Sequence, residues 1–294
     1  MNILITGSTG YLGSNILKKL ISEDKNNLII LKRSFSNTFR IKDCLDKVTS
    51  YNLDNNDLEK IFSENKIDII LHCATDYGRK DANPLNIIEA NLILPLKLLE
   101  LGRKYNIKTF INTDTILDKR INFYSLSKNQ FKDWLKNYKN DLICINIALE
   151  HFYGPGDDKT KFVSFIIENL IKKTEKIGLT KGEQKRDFIY IEDVVNAFLK
   201  IIEHSLSLKN GFYEFELGSE KTVTIKEFVL MAKKILGNNE TILNFGALPY
   251  RENEVMDCKA NTSAIKELGW SCIYSLEVGL KKMIEKELIN LKNK

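Results

Sequence analysis

Short apolar runs alternate with longer amphipathic stretches through the first half of the chain. The runs with the character of buried strands are Asn2–Thr6, Leu28–Leu31, Ile67–His72, Thr109–Thr113 and Leu142–Ile147. Between them, apolar residues recur at helical spacing in Leu12–Ser22, Asp57–Glu64, Pro84–Tyr105 and Ser125–Asn137. Strands that alternate with helices predict right-handed crossovers and a parallel sheet covered on both faces. The pattern therefore predicts an α/β fold with a doubly wound, Rossmann-type parallel sheet.

The regular alternation ends after His151. A loop containing Gly154, Pro155 and Gly156 leads to a helix near Lys161–Lys173, and the later elements follow in a less regular order. In a doubly wound sheet the ligand binds beyond the carboxyl ends of the strands, where a second lobe can close over it. We therefore expect a dinucleotide-binding Rossmann domain over residues 1–150, to which residues 188–210 return. Residues 151–187 and 211–294 are expected to form a smaller α/β lobe that binds substrate.

The composition changes this picture little, but it excludes several classes of protein. The 294 residues are 43% hydrophobic and 28% charged, which is typical of a folded globular protein and not of a disordered chain. Lys and Arg exceed Asp and Glu by 44 to 39, and this mild excess suits a small anionic ligand better than a nucleic acid. The five cysteines are far apart, without zinc-binding spacing. With no signal-peptide or membrane-span pattern, we expect a cytoplasmic protein with no metal, nucleic acid or membrane partner.

A glycine-rich segment follows the first predicted strand and opens the first predicted helix. The segment reads TGSTGYLG from Thr6 to Gly13, with glycines at 7, 10 and 13. Glycines at such a turn let the backbone approach a pyrophosphate, whose negative charge is stabilised at the helix N-terminus. Its place between a strand and a helix supports this interpretation over a simple tight turn. The segment therefore predicts a dinucleotide site.

The end of the second predicted strand bears on which dinucleotide binds. Proteins that bind NAD usually place Asp or Glu there, about 20 residues past the glycines, to accept a hydrogen bond from the ribose 2′-hydroxyl. This chain has Lys32, Arg33 and Ser34 instead. A guanidinium donates to a phosphate through two parallel hydrogen bonds, so the segment predicts NADP(H). A solvated Lys-Arg pair at a strand end is the alternative.

A tyrosine and a lysine four residues apart form the candidate catalytic pair. Tyr124 and Lys128 read YxxxK in a predicted helix, so both side chains lie on one face. We expect the ammonium of Lys128 to lower the pKa of the Tyr124 phenol toward neutrality, where the phenol exchanges protons. The pair follows the strand ending in Thr113, Asp114 and Thr115, which favours a catalytic role.

These motifs, together with longer strings, resemble the extended short-chain dehydrogenase/reductase family, which acts on nucleotide sugars. The resemblance covers nearly all of the chain, through TGSTGYLG, HCAT (72–75), YSLSK (124–128), HFYGPGD (151–157) and RDFIYIEDV (186–194). Within the family, ATDYGRK (74–80), NTDT (112–115) and FGALPYRENEVM (245–256) resemble the reductases that make CDP-abequose or CDP-paratose. The resemblance implies NADPH-dependent reduction of the 4-keto group of a nucleotide-linked 6-deoxyhexulose, giving a deoxysugar nucleotide for surface polysaccharide such as O-antigen.

The resemblance also implies roles for individual residues. Tyr124 would be the general acid, Lys128 would bind the nicotinamide ribose, and Thr115 would hold the substrate oxygen, with Thr113 as its rival. The further residues implied at the cofactor are Gly7, Thr9, Gly10, Tyr11, Leu12 and Gly13 at the pyrophosphate, Lys32, Arg33 and Ser34 at the ribose phosphate, Leu53 at the adenine, Cys73, Ala74 and Thr75 at the nicotinamide, and Asn91 in support. The residues implied at the substrate are Thr75, Thr115, His151, Arg186 and Arg251.

Several alternatives stay open at the level of the sequence. A nucleotide-sugar 4-epimerase or 4,6-dehydratase would use the same residues with a retained NAD, although Ile116 and Leu117 lack the acid pair of dehydratases. A non-catalytic dinucleotide-binding protein is a minor alternative. Asn52 and His151 depart from the family's usual Asp and Asn. The segments 84–105 and 125–138 resemble helices through which family members pair, so a homodimer is expected.

Overall fold

The computed structural model of the protein describes residues 1–79 and 83–292, so Lys80 of the ATDYGRK string lies outside the described residues. The strands are β1 (Asn2–Thr6), β2 (Asn27–Lys32), β3 (Thr49–Asn52), β4 (Ile69–His72), β5 (Thr109–Thr115), β6 (Ile143–Leu149), β7 (His151–Tyr153), β8 (Lys176–Leu179), β9 (Lys185–Tyr190), β10 (Gly211–Leu217), β11 (Thr222–Thr224) and β12 (Ile242–Phe245). The α-helices are α1 (Tyr11–Glu23), α2 (Leu58–Glu64), α3 (Pro84–Ile88), α4 (Leu94–Lys104), α5 (Phe123–Lys136), α6 (Phe162–Ile171), α7 (Ile191–Ser205), α8 (Ile225–Ile235), α9 (Ser263–Glu267) and α10 (Leu276–Lys292).

Seven strands form the central sheet in the order β10-β6-β5-β4-β1-β2-β3. The pairings from β3 to β5 are parallel, with Ile5 of β1 lying between Ile30 of β2 and Leu71 of β4. The predicted Rossmann-type parallel sheet is therefore confirmed. The strand order reverses at β1, and the loops after β1 and β4 leave the sheet side by side at this point. Open α/β sheets bind their ligands at such a switch point.

The central strands are buried along their whole length, as expected for a sheet with helices on both faces. On one face, Leu4, Ile70 and Phe110 pack against Leu98 of α4 and Phe131 of α5. Each of these five side chains is completely buried. This packing anchors α5 against β5, and it therefore fixes the position of the YxxxK pair relative to the end of β5.

The structure differs from the sequence pattern in three elements. Neither β3 nor β10 is placed by the apolar pattern, because β3 is only half-buried and β10 alternates apolar with charged side chains. The predicted helical stretch Pro84–Tyr105 is interrupted by a π-helical turn at Glu89–Ile93, which joins α3 to α4. Such turns are frequent at functional sites, and this one carries the buried side chain of Asn91.

The chain forms two compact units. The first comprises residues 1–148 and 195–215, and it contains most of the central sheet. The second comprises residues 149–194 and 216–294, with a three-stranded sheet in the order β11-β9-β7 and a parallel pair, β12-β8. The five cysteines form no disulfide. Among the described helices, none has the length and apolar character needed to cross a membrane.

Candidate active site

The glycine-rich loop packs directly on the loop that follows β4. Gly7 has a left-handed backbone (φ 68°), and its carbonyl accepts a hydrogen bond from the Gly10 amide at 2.9 Å. A Cβ atom at Gly7 would lie 2.5 Å from the backbone nitrogen of Ala74. A Cβ atom at Gly13 would lie 2.3 Å from the Gly7 carbonyl oxygen. Both positions therefore exclude any side chain, because backbone atoms occupy the space.

The N-terminus of α1 retains the groups that an anion needs. Gly10 caps this helix without a side chain, so no side-chain oxygen accepts from the first amides, and the first turn carries no acidic residue. The buried hydroxyl of Ser8 has no hydrogen-bond partner within the described part of the chain. Backbone amides at the positive end of a helix are the groups that bind a pyrophosphate. The loop therefore fits a dinucleotide, with Thr9, Tyr11 and Leu12 beside its glycines.

The carboxyl ends of β2 and β3 bring together the residues predicted at the ribose phosphate and the adenine. Lys32 donates from Nζ to Asn52 Oδ1 at 2.6 Å, and the Leu53 amide donates to the Lys32 carbonyl at 2.7 Å. Arg33 is exposed, with its guanidinium carbon 4.8 Å from the centre of the Phe35 ring. A fixed polar strand end with an exposed guanidinium is compatible with a bound phosphate group.

Asp54 is a further residue at this strand end, and the sequence argument missed it. Its carboxylate accepts hydrogen bonds from both the amide and the hydroxyl of Ser34, and the amide bond is 2.7 Å long. These bonds lower the pKa of Asp54 below its ordinary value. Asp54 therefore accepts from both hydrogen-bond donors of Ser34. The contact of Ser34 with the cofactor stays a prediction. The only signal in the sequence was an acidic residue shortly after β3.

Tyr124 lies in the first turn of α5, opposite the end of β5. Asn122 caps this helix, accepting from the Ser125 amide at 2.8 Å, and so fixes where the first turn begins. The Thr115 hydroxyl is near enough to the Tyr124 phenol to lower its pKa. The Thr113 hydroxyl instead donates to the carbonyl of His72 at 3.0 Å. The structure thus brings Thr115, and not Thr113, to the phenol.

The pKa of Tyr124 differs from the sequence-based expectation. Burial raises it well above the ordinary value, and Tyr77 and Asp114 raise it further, whereas the Thr115 hydrogen bond lowers it. The expectation of a phenol with its pKa lowered by Lys128 is therefore wrong: the pKa is raised, and Lys128 is not among the groups that shift it. The physical reason is that removing a phenolate from water costs more free energy than its interactions with the neighbouring polar groups recover.

Lys128 is buried beneath the same turn. Its side chain is 1% exposed, and its Nζ has no hydrogen-bond partner among the described residues. Burial lowers the pKa of this ammonium to about 8, and the charge of Asp114 opposes that shift. A buried ammonium that lacks an acceptor is costly. Its donors are therefore suited to ligand oxygens such as ribose hydroxyls, as the resemblance implies.

The loop after β4 supports the site from the other side. The Cys73 amide donates to the Thr6 carbonyl at 3.2 Å, and the Ala74 amide donates to the Thr6 hydroxyl at 3.2 Å, while Thr75 is partly exposed. Asn91 ties this loop to α5. Its Oδ1 accepts from the Asp76 amide at 2.8 Å, and its Nδ2 lies 3.0 Å from Ser127 Oγ. Asn91 therefore holds the loop through its amide group.

Tyr77 in this loop was quoted in the ATDYGRK string but given no role. Its ring centre lies 5.0 Å from that of Tyr124, in a tilted arrangement. Tyr77 is 40% exposed, so it covers the Tyr124 phenol without being part of the core. No spacing rule connects residues 77 and 124, and the contact arises only because the end of β4 lies beside α5.

The second unit contains the remaining residues predicted at the substrate. His151 Nδ1 lies 2.8 Å from an oxygen of Glu150, and the ring packs edge-on against Phe188. Arg186 is almost completely buried, and its guanidinium forms an ion pair with Glu254. Arg251 is exposed, and its carbonyl accepts from the Glu254 amide at 3.2 Å. Glu254, which the sequence argument missed, therefore contacts both arginines: its carboxylate pairs with the Arg186 guanidinium, and its backbone amide donates to the Arg251 carbonyl.

The pairing helices of the expected homodimer expose several apolar side chains. Phe123 and Trp134 of α5 are 60% and 49% exposed, and Leu85 of α3 is 69% exposed. The homodimer stays a prediction.

Comparisons with known proteins agree on one family and one fold. The model of the family described as "NAD dependent epimerase/dehydratase family" matches residues 3–214. The chain is 33% identical to a CDP-abequose synthase of Salmonella typhimurium, with 97% of each chain covered, and 37% identical to one of Salmonella muenchen, with 96% of each covered.

Solved structures give the same fold. A UDP-glucose 4-epimerase of Thermotoga maritima, determined with UDP-glucose, superposes with a TM-score of 0.87 at 26% identity, covering 99% of this chain and 100% of that one. A UDP-glucose 4-epimerase of Thermus thermophilus, determined with NAD, has a TM-score of 0.81 at 20% identity, covering 97% of this chain and 98% of that one. At that identity the second likeness concerns the fold alone.

Proposed function

The chain belongs to the NAD dependent epimerase/dehydratase family, as its motifs predicted, and from this premise we propose that it is an NADPH-dependent nucleotide-sugar reductase. Its substrate would be a nucleotide-linked 4-keto-6-deoxyhexulose of the CDP-4-keto-6-deoxyglucose type. The product would be a deoxy- or dideoxysugar nucleotide for surface polysaccharide. Full-length likeness to proteins named CDP-abequose synthase supports this substrate class. The observation that carries the proposal is the buried Lys128 ammonium, which has no hydrogen-bond partner among the described residues and lies one helical turn from Tyr124, with Thr115 beside the phenol.

The raised pKa of Tyr124 suits reduction, in which the enzyme must give a proton to the ketone oxygen. Because burial raises this pKa, the phenol is protonated at neutral pH and is a proton donor. When bound, the nicotinamide dinucleotide supplies the hydride for the carbonyl carbon. Thr115 holds the carbonyl oxygen, and Tyr124 protonates that oxygen as negative charge develops on it. The Lys128 ammonium then stabilises the phenolate that remains.

The substrate's diphosphate would be held by cationic side chains. Arg186 and Arg251 are the residues that the resemblance implies for this role, and a planar guanidinium binds phosphate oxygens through two parallel hydrogen bonds. The carboxylate of Glu254 forms an ion pair with the Arg186 guanidinium. A bound diphosphate would replace one anion with another at this buried group, so Arg186 would not be left uncompensated.

Replacing Arg33 with alanine is expected to weaken NADPH binding about 10- to 100-fold and to change NADH binding little, since only NADPH offers the 2′-phosphate for a charge-assisted hydrogen bond. Arg33 is exposed at the end of β2, so its removal leaves the core unchanged. Fluorescence titration of each coenzyme without substrate measures both affinities. Arg103→Ala, which removes an exposed guanidinium from α4, is the control. Equal weakening of both coenzymes, or no change in either, would contradict the assignment.

The proposed activity is tested by offering CDP-, dTDP-, GDP- and UDP-linked 4-keto-6-deoxyhexoses separately, with NADPH and with NADH. We expect the fastest oxidation with NADPH and the CDP-linked sugar, and NMR of the product gives the configuration of the new hydroxyl. Similarity to the UDP-glucose 4-epimerase of Thermotoga maritima favours a second candidate, a 4-epimerase with retained NAD. Purified protein that carries NAD, and that interconverts a nucleotide sugar without net coenzyme oxidation, would establish that candidate instead.

A further inference from the structure

One face of α5 carries a row of three polar side chains. Tyr124, Lys128 and Lys132 follow at four-residue intervals, so they lie one above another along the helix. Asp114 of β5, which is 5% exposed, lies on the same face of its strand as Phe110, whose ring centre is 5.8 Å from that of Phe131 of α5. The side chain of Asp114 therefore faces α5. Its Oδ1 accepts from the Thr115 amide at 2.8 Å, and its Oδ2 accepts from Asn146 Nδ2 at 2.9 Å. The mechanism proposed above gives Asp114 no part.

Asn146 connects this carboxylate to the surface of the protein. It is completely buried in β6, and its Oδ1 accepts from Asn112 Nδ2 at 2.8 Å. Its Nδ2 also lies 3.3 Å from Glu214 of β10, which in turn accepts from Lys132 at 3.2 Å. We call Asp114, Asn146, Glu214 and Lys132 the polar row. The row runs across three adjacent strands, from the catalytic pair to the far end of the same helix face.

We propose that Asp114 is a positioning residue of the active site: its carboxylate, fixed by Asn146, is the counter-charge that holds Lys128 cationic and the Tyr124 phenol protonated. The proposal rests on the proposed function, because it assigns Asp114 to the proton donor of that reaction. A buried ammonium needs a nearby anion when it has no hydrogen-bond partner. Asp114 meets that need without contacting substrate, and its two hydrogen bonds prevent it from swinging away.

The other groups that face Lys128 are neutral at pH 7. From β4 and its loop these are His72, whose pKa burial lowers well below the ordinary value, and Cys73, whose pKa burial raises to about 12. From α5 itself the group is Tyr124, which is protonated. Asp114 is therefore the anion that faces Lys128 within the described residues. Its charge raises the pKa of Lys128 and also that of Tyr124. Two groups of the loop after β4 also face Tyr124: Tyr77, which raises the pKa of the phenol, and Arg79, which lowers it.

Because both pKa values are raised by the same carboxylate, removing its charge lowers both. Whichever group limits turnover at high pH, it then loses its proton at a lower pH. Asp114→Asn should therefore move the alkaline limb of the turnover profile downward by about one pH unit or more, the size usual for a neighbouring opposite charge. Turnover would be largely kept near pH 6.5 and lost near pH 8.5. A purely structural role for Asp114 would lower turnover equally at every pH.

The matched control is Asp133→Asn on α5. Its carboxylate belongs to the same helix but is 68% exposed and 3.9 Å from Lys136, so the alkaline limb should stay in place. Asp114→Asn sets two amide groups against each other, and a second variant guards against misfolding. In Asp114→Asn/Asn146→Asp/Glu214→Gln the donor and acceptor are exchanged, the third change removes the carboxylate that would otherwise face the new one, and the negative charge moves one strand away. This variant should shift the limb in the same direction, and an unshifted limb in both variants would overturn the proposal.

A measurement without substrate or coenzyme separates this inference from the proposed function. In protein labelled with ¹³C at lysine Cε, the resonance that Lys128→Met removes reports the ionisation of Lys128. We expect its midpoint near pH 8 in the native chain and lower in Asp114→Asn. A lowered midpoint in a protein that reduces no keto-sugar would retain the inference and reject the reductase. An unchanged midpoint in an active reductase would reject the inference about Asp114 and retain the reductase.

Discussion

Tyr124→Phe is expected to lower turnover about 10²- to 10⁴-fold, the usual contribution of a positioned general acid. The variant removes one hydroxyl, and with it both the transferable proton and the interaction with the Thr115 hydroxyl. The ring remains and keeps its packing against Tyr77, so the fold should be unchanged. NADPH affinity should also be nearly unchanged, because the glycine loop and Arg33 are untouched. Steady-state turnover and a fluorescence titration of NADPH measure the two quantities on the same protein.

Tyr138→Phe is the control for this experiment. It removes a phenol hydroxyl just beyond the end of α5, where that hydroxyl is bonded to Glu100, and it should leave turnover near the native value. If Tyr124→Phe retains near-native turnover, Tyr124 is not the proton donor. If instead both turnover and coenzyme binding are lost, the hydroxyl has a structural role that the proposed mechanism does not include.

Gly13→Ala is expected to weaken coenzyme binding at least tenfold and to lower the melting temperature. The added Cβ would lie 2.3 Å from the Gly7 carbonyl oxygen and 3.1 Å from the Ser8 Cα. Both neighbours are backbone atoms, so the glycine loop or α1 must move. Such overpacking typically costs about 1–3 kcal/mol, which corresponds to a loss of roughly 2–12 °C in a domain of this size. Calorimetry and the NADPH titration measure the two effects.

Gly178→Ala provides the comparison for Gly13→Ala. A Cβ there would meet nothing closer than 3.8 Å, so neither coenzyme affinity nor melting temperature should change much. A Gly13→Ala protein that binds NADPH as tightly as the native chain would show that the loop does not hold the pyrophosphate. If Gly178→Ala lowers the melting temperature as much as Gly13→Ala does, the loss in Gly13→Ala is not caused by a clash at the glycine loop.

Much of the fold could be predicted from local sequence patterns. β1 has the predicted bounds, Asn2–Thr6, and α1 begins one residue before the predicted start. Strands buried on both faces produce unbroken apolar runs, and helices on a sheet show one apolar face, so both are readable from neighbouring residues. β10 was not predicted because it lies at the edge of the central sheet and is only partly buried, so it has no unbroken apolar run. Its charged side chains on one face also mask the apolar alternation.

The site was readable wherever its chemistry depends on residues close in sequence. The spacing of Gly7, Gly10 and Gly13, and that of Tyr124 and Lys128, follows from a single turn or a single helix. Asp114, Asn146 and Glu254 could not be identified in this way, because each partners a residue 32 or more positions away, at Asn146, Asp114 and Arg186. A carboxylate in a sequence looks the same whether it faces solvent or a buried ammonium.

The sequence by itself determined that the chain forms a parallel sheet with a glycine loop after its first strand and a tyrosine–lysine pair on one helix face, because backbone sterics and helical periodicity act between near neighbours. Only the tertiary structure decided that Thr115 rather than Thr113 lies beside the phenol, that burial raises the pKa of Tyr124, and that Asp114 is buried on the face of β5 that packs against α5. Those outcomes depend on which strands lie side by side and on how much water their packing excludes, and neither is encoded within one segment of the chain.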